Sequence, residues 1–163
     1  MFGESIAHGT VFRRAMEEGL LDGDRVAQIG LRGTGYSSEE FSWSREQGFR
    51  VVTAGECWYK SLVPLMKELR EKLAGGPVYI SFDIDGIDPS YAPGTGTAEI
   101  GGLTVPQALE IIRGCRGLDV VGGDLVEVSP PYDTSGNTSL LAANLLFEML
   151  CVLPGVKYVT SES

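Results

Sequence analysis

The sequence predicts an α/β protein: a parallel sheet with helices on both faces. Two observations carry that expectation. Short apolar runs alternate with longer segments whose apolar residues recur at helical spacing, strand then helix, along the chain. The run "PVYISFDID" at 77–85 is apolar almost throughout, as a strand covered on both faces should be. The 163 residues lie within the size of one domain. No repeat, linker or low-complexity tract interrupts them.

The elements are expected in this order. "FRRAMEEGLL", beginning at Phe12, is a short helix that stops near Gly19. "RVAQIGLRG" is a strand, apolar at Val26, Ile29 and Leu31. "SSEEFSWSREQG" is a helix capped by Ser37 or Ser38, with acids in its first turn and Gly48 at its end. "FRVVTA" is a strand. "CWYKSLVPLMKELREKLAGG" is expected to be the longest helix, starting near Ser61 with Pro64 in its first turn and Gly75-Gly76 as its stop. After the strand at 77–85, "TVPQALEIIRGC" is a helix capped by Thr104 with Pro106 in its first turn. "LDVVGGDLVEV" is a strand, and "NTSLLAANLLFEMLCVL" is the last helix.

Composition narrows the function. Thirteen basic residues face 22 acidic ones, a net charge of −9, and no basic footprint for nucleic acid appears. The apolar stretches are too short to cross a membrane, and the opening "MFGESIAHGT" has no basic-then-apolar leader. Cys57, Cys115 and Cys151 are far apart and odd in number, and His8 is the only histidine. Buried structural thiols in a reducing compartment therefore fit better than a zinc finger or a disulfide framework.

The chemistry gathers in "SFDIDGIDPSYAPGTGTAEIGGLT", Ser81 to Thr104, which holds three aspartates and no basic residue. Asp83 and Asp85 are two apart at the carboxyl end of an expected strand, so both side chains point the same way. In open parallel sheets that end is where sites form. Two ionised carboxylates side by side repel, and a hard divalent cation such as Mg²⁺, Ca²⁺ or Mn²⁺ relieves the conflict. Asp88, before Pro89, is better read as a residue that caps and turns the loop. The "PGTGTAEIGG" loop lacks the third glycine of a dinucleotide fingerprint and has no strand immediately before it. Wrapping of a small polar substrate and ordinary turn chemistry both remain open for it. Glu127 ends the strand before Ser129-Pro130, where an acid can hold a cation or act as a base. His8, followed by Gly9, gains meaning only from a partner site.

Taken together, these residues resemble the ureohydrolase family, the arginases and agmatinases. The stretch from Ser81 to Thr104 is similar to the family's late metal-binding signature, S-x-D-x-D-x-x-D-P-x-x-x-P-G-T-G-T-P. "HGTVFRRAMEEGLL", "VAQIGLRG", "QGFRVV" and "GGDLVEVSPPYDTSGNTSLLAANLLFEML" look like matching segments of agmatinases, so the resemblance covers about residues 4–156. It implies an arginase-type, three-layer α/β/α domain and two Mn²⁺ per site. The implied reaction is hydrolysis of a linear guanidino compound to urea and an amine, by attack of a metal-activated water. By resemblance, Asp83 bridges both metals and Asp85 binds one. Glu127 pairs with the guanidinium, His8 carries a proton to the leaving amine, and Thr97 orients the substrate. Agmatine, giving putrescine and urea, is the expected substrate, with a guanidino acid such as 4-guanidinobutanoate as the alternative.

The resemblance also implies a homotrimer or homohexamer and, from the vertebrate branch, a mitochondrial location. Two departures stand out. Ala98 replaces a usual proline, which releases φ in the loop. No G-G-D-H or D-A-H-x-D motif occurs, and these carry the other four of the six metal ligands expected from the family. The chain, residues 1–163, therefore reads as the carboxyl-terminal portion of one ureohydrolase domain. It is expected to expose an unpaired sheet edge, to be poorly stable and to turn over little by itself, or else to act without catalysis by joining full-length subunits.

Overall fold

A computed structural model describes residues 6–33 and 40–158, the side chains at 40 and 41 excepted. A turn of 3₁₀ helix, His8–Thr10, opens it and leads into helix α1, Val11–Glu17. Strand β1 is Ala27–Leu31, helix α2 is Glu40–Glu46, and strand β2 is Arg50–Thr53. Ser37 and Ser38, the expected caps of α2, lie outside the described residues. A short helix α3, Ala54–Cys57, precedes α4, Val63–Leu73. Strand β3 is Pro77–Asp83, helix α5 Val105–Gly114, strand β4 Asp119–Val126 and helix α6 Asn137–Cys151.

Three expectations are corrected. The segment at 57–76 is not the longest helix: α4 has 11 residues against 15 in α6. Its front is broken because Trp58 is extended and Tyr59 has φ of 57°. The helix begins at Val63, where the preceding Leu62 amide donates to Glu110 Oε2 at 2.5 Å. Second, β3 is covered on one face only. Val78, Ile80 and Phe82 are buried, whereas Tyr79, Ser81 and Asp83 are exposed. Third, the strands are parallel as expected, but among the described residues they form two pairs, β1–β2 and β3–β4, with no ladder joining them into one sheet.

The core lies against the buried face of β3–β4. Met66 and Leu69 from α4, Ala108 and Ile112 from α5, and Leu145 and Met149 from α6 meet Val78, Ile80, Phe82 and Val120 there. Thr104 caps α5 as expected: its hydroxyl accepts from the Gln107 amide at 3.4 Å, and Gln107 Oε1 accepts from the Thr104 amide at 3.0 Å. The β1–β2 pair leans on this core through its carboxyl end. Gly30 has φ of 90°, and a Cβ there would stand 3.2 Å from Leu103 Cδ1, so only glycine allows that approach without strain. Cys57 and Cys115 are buried free thiols, as expected, and Cys151 is half-buried. Among the described residues no helix is long and apolar enough to cross a membrane.

Candidate active site

The register of β3 and β4 builds the site. Asp83, the last residue of β3, pairs with Val126, so Glu127 follows immediately on the neighbouring strand. Both acids therefore stand at the carboxyl ends of parallel strands. Glu127 has φ of 66°, a left-handed conformation costly for a residue with a side chain, and the chain turns there out of the sheet. Such strain persists only where surrounding contacts hold it. Here the Thr95 hydroxyl donates to the Glu127 carbonyl at 2.9 Å, and Thr95 bridges Val128.

Asp85 is not on the strand. It sits in a 3₁₀ turn, Ile84–Gly86, so the two-residue alternation of a strand is not what brings it beside Asp83. The turn does so instead: the Asp85 amide donates to Asp83 Oδ1 at 2.8 Å. The Asp85 carboxylate then receives the Thr95 hydroxyl on Oδ1 and the Thr97 hydroxyl on Oδ2. Thr97, expected near substrate, thus touches an acid of the site directly. His8 reaches the same place from the other end of the chain, with Nδ1 3.2 Å from Glu127 Oε1. Its side chain is 91% exposed, so solvent meets the pair freely.

The electrostatics mark Asp83 and Asp85 as unneutralised. Solvent reaches Asp83, yet the protein atoms crowding its carboxyl strip away hydration and push its pKa up to about 6. The negative charges of Asp85 and Glu127 add to that rise, while the Asp85 amide and Arg32 oppose it. Asp85 is also raised, first by desolvation and then by Glu127, against the Thr97 hydroxyl and Arg32. Asp88 contrasts with both. The Ser90 hydroxyl, then the Ser90 amide, hold it down at about 2, with help from the Gly101 and Gly102 amides. It is the loop-turning residue the sequence suggested.

Two participants escaped the sequence reading. Arg32, just past β1, spends its guanidinium on backbone carbonyls. Nη2 donates to Asp85 O at 2.7 Å and Glu99 O at 2.5 Å, and Nε donates to Glu99 O at 3.1 Å. It binds the two ends of the aspartate loop together and sets a positive charge near Asp83 and Asp85 without an ion pair to either. Its position at a strand's carboxyl end was the available signal. Thr95 is the other; it repeats the pattern of Thr97 two residues earlier.

The donor set fits a hard cation in part. Carboxylate oxygens suit Mn²⁺, and a cation relieves the repulsion that raises Asp83. Among the described residues, however, no group of three or more histidines, cysteines or acids is arranged to hold a metal. Asp83 and Asp85 therefore offer one side of a cation site. Glu127, held beside them, offers an acceptor to a planar cation.

The chain matches the Arginase family over residues 1–151. It is 78% identical over 156 residues to guanidinobutyrase of Pseudomonas aeruginosa, spanning 96% of this chain and 49% of that protein. It is 66% identical to the mitochondrial guanidino acid hydrolase of Homo sapiens, over 96% of this chain and 45% of that one. With the mitochondrial agmatinase of Gallus gallus the identity is 70%, over 95% and 46%. Among solved structures, proclavaminate amidino hydrolase from Streptomyces clavuligerus superposes with a TM-score of 0.86 at 41% identity, covering 92% of this chain and 50% of that one. The arginase from Bacillus caldovelox does so with a TM-score of 0.73 at 28% identity, covering 86% and 46%. The chain thus spans about half the length of the curated relatives it matches.

Proposed function

Because the chain belongs to the arginase family, we propose that it is the carboxyl-terminal portion of a ureohydrolase domain that hydrolyses a linear guanidino compound to urea and an amine. The observation that carries this reading is the meeting of Asp83, Asp85, Glu127 and His8 where β3 and β4 end. Asp83 and Asp85 would hold Mn²⁺, two ions in the complete site, with further ligands from the half of the relatives that this chain does not span. The metal supplies an activated water when bound.

The remaining work falls to the chain's own side chains. Glu127 accepts the guanidinium, whose planar N–H groups match a carboxylate in charge and geometry. Thr97 orients the same group from the opposite loop. One C–N bond breaks, one C–O bond forms, and His8 delivers the proton that lets the amine leave. His8 is suited to this by standing within reach of Glu127 while remaining open to solvent.

Both candidate substrates share the guanidino end and differ at the other, an amine in agmatine and a carboxylate in 4-guanidinobutanoate. The 78% identity to guanidinobutyrase favours the guanidino acid, giving urea and 4-aminobutanoate, over the agmatine first expected from the resemblance. Agmatine, giving putrescine, remains the second reading on the 70% identity to the agmatinase of Gallus gallus. We propose a homotrimer or homohexamer for the complete protein. The mitochondrial placement leans on vertebrate relatives alone, since the Pseudomonas relative is bacterial.

A non-catalytic role is supported by one observation. Val121, Leu140, Phe147 and Leu150 of β4 and α6 are each 60% or more exposed, an apolar surface able to join full-length subunits. Urea release separates the readings. The chain is assayed with Mn²⁺ on both substrates, alone and co-expressed with the amino-terminal half of the Pseudomonas relative. Urea from the combined halves, abolished by Asp83→Ala, is the expected result. Combined halves that co-purify yet release no urea from either substrate would favour the non-catalytic role.

A further inference from the structure

We propose that Thr95 is a positioning residue: its hydroxyl links the Asp85 carboxylate to the Glu127 backbone and so sets how the two halves of the site face each other. The inference rests on the functional reading above for the roles of Asp85 and Glu127.

Thr95 is 6% exposed, one of the few buried polar residues among those described. Its single hydroxyl proton is shared between Asp85 Oδ1 and the carbonyl of Glu127, the latter at 2.9 Å. One acceptor belongs to the 3₁₀ turn after β3, the other to the residue that leaves β4 in a left-handed conformation. These are different loops with different proposed tasks, and the hydroxyl is their direct side-chain link.

The anchor behind Thr95 is rigid. Gly94 accepts the Ser129 amide at 2.8 Å and donates its own amide to the fully buried Thr138 hydroxyl at 2.9 Å. A Cβ on Gly94 would stand 2.5 Å from Asp133 Cβ, so only glycine lets the loop sit this close to the start of α6. The Thr95 backbone is therefore held by the fold, and its hydroxyl projects that rigidity onto Asp85 and Glu127. Outer-shell partners of this kind tune metal affinity about 10–100-fold.

The test compares Thr95→Val, which keeps the shape and loses the hydroxyl, with Thr95→Ser, which keeps the hydroxyl and loses the methyl. The first readout is amide hydrogen exchange by NMR on the metal-free chain, at Asp85, Ile87, Val128 and Ser129, with Ile80 and Val120 as core references. Thr95→Val is expected to speed exchange at the four site amides about tenfold relative to the core references, and Thr95→Ser to restore it. The second readout is Mn²⁺ affinity from the free-ion paramagnetic resonance signal, expected to weaken about tenfold in Thr95→Val. Should Thr95→Val fail to fold, Thr95→Ala against Thr95→Ser isolates the same hydroxyl. Site amides that exchange as in the parent, or a serine variant no better than the valine one, would overturn the proposal. A parent chain that binds no Mn²⁺ sinks the metal reading instead, and the exchange data still decide Thr95.

Discussion

Among the described residues, Asp88 receives four hydrogen bonds, from the amide and hydroxyl of Ser90 and the amides of Gly101 and Gly102, whereas Asp83, five residues earlier, receives one, from Asp85. The first is held down at about 2 and the second pushed up to about 6. Donors directed at a carboxylate stabilise its charge; neighbouring carboxylates and lost hydration oppose it. The difference separates an acid that builds the loop from acids whose charge the fold leaves opposed. In the same sequence stretch loop-building and site-facing residues are interleaved: Asp88 lies between Asp85 and the Thr95 and Thr97 hydroxyls that reach the Asp85 carboxylate.

The contrast can be broken from either side. The largest expected effect is Asp88→Ala, which strips four donors of their acceptor and should cost about 2 kcal/mol in urea unfolding at neutral pH. An unchanged midpoint would mean that the loop holds itself without Asp88. Next, Mn²⁺ at about tenfold excess over its dissociation constant should stabilise the chain by about 1.4 kcal/mol, and should not stabilise Asp83→Asn. Equal shifts in both proteins would move the cation elsewhere.

Asp83→Asn should by itself stabilise the metal-free chain at pH 7, by about 1 kcal/mol once solvent screening of an exposed group is allowed for. The sign follows from linkage. A carboxyl raised in the folded state binds its proton there more tightly than in the unfolded chain, so stability falls as pH rises from about 4 to about 6. Asp88 acts oppositely: its contribution is full above about pH 4 and is lost as pH falls toward about 2. The metal-free chain should therefore be most stable near pH 4, and thermal melts across pH 2–7 should show a maximum there that Asp83→Asn flattens on its alkaline side. The smallest effect is expected for His8→Ala. An exposed pair with Glu127 contributes little to folding, so the melting temperature should not move, even where urea release by the combined halves collapses.

Much of this was legible in the chain itself. Periodicity identifies each of the four described strands, and capping residues most of the described helices, because Thr104, Pro106, Gly48 and Gly75 act through contacts only a few residues long. Asp83, Asp85 and Thr97 lie in the stretch that resembles a family signature, and Glu127 and His8 in two further matching segments; the fold brings them to one place. The errors share a cause. The break between α3 and α4 depends on Glu110, 48 residues from the Leu62 amide it accepts, and no local pattern encodes that. The apolar look of β3 suggested cover on both faces, but exposure depends on what packs there, not on β3.

The sequence by itself determined the identity of the acids, the order of strands and helices, and the absence of any basic neighbour within the aspartate stretch, since these are properties of adjacent residues. Only the tertiary structure decided which aspartate is neutralised by donors and which is left exposed to like charge. It also brought Arg32 to the carbonyls of 85 and 99, His8 to Glu127 across 119 positions, and the Thr95 hydroxyl to two loops at once. Those contacts arise from the parallel register of β3 and β4 and the packing of β1 behind them, and a hydrogen bond forms only where the whole fold delivers both partners within about 3 Å.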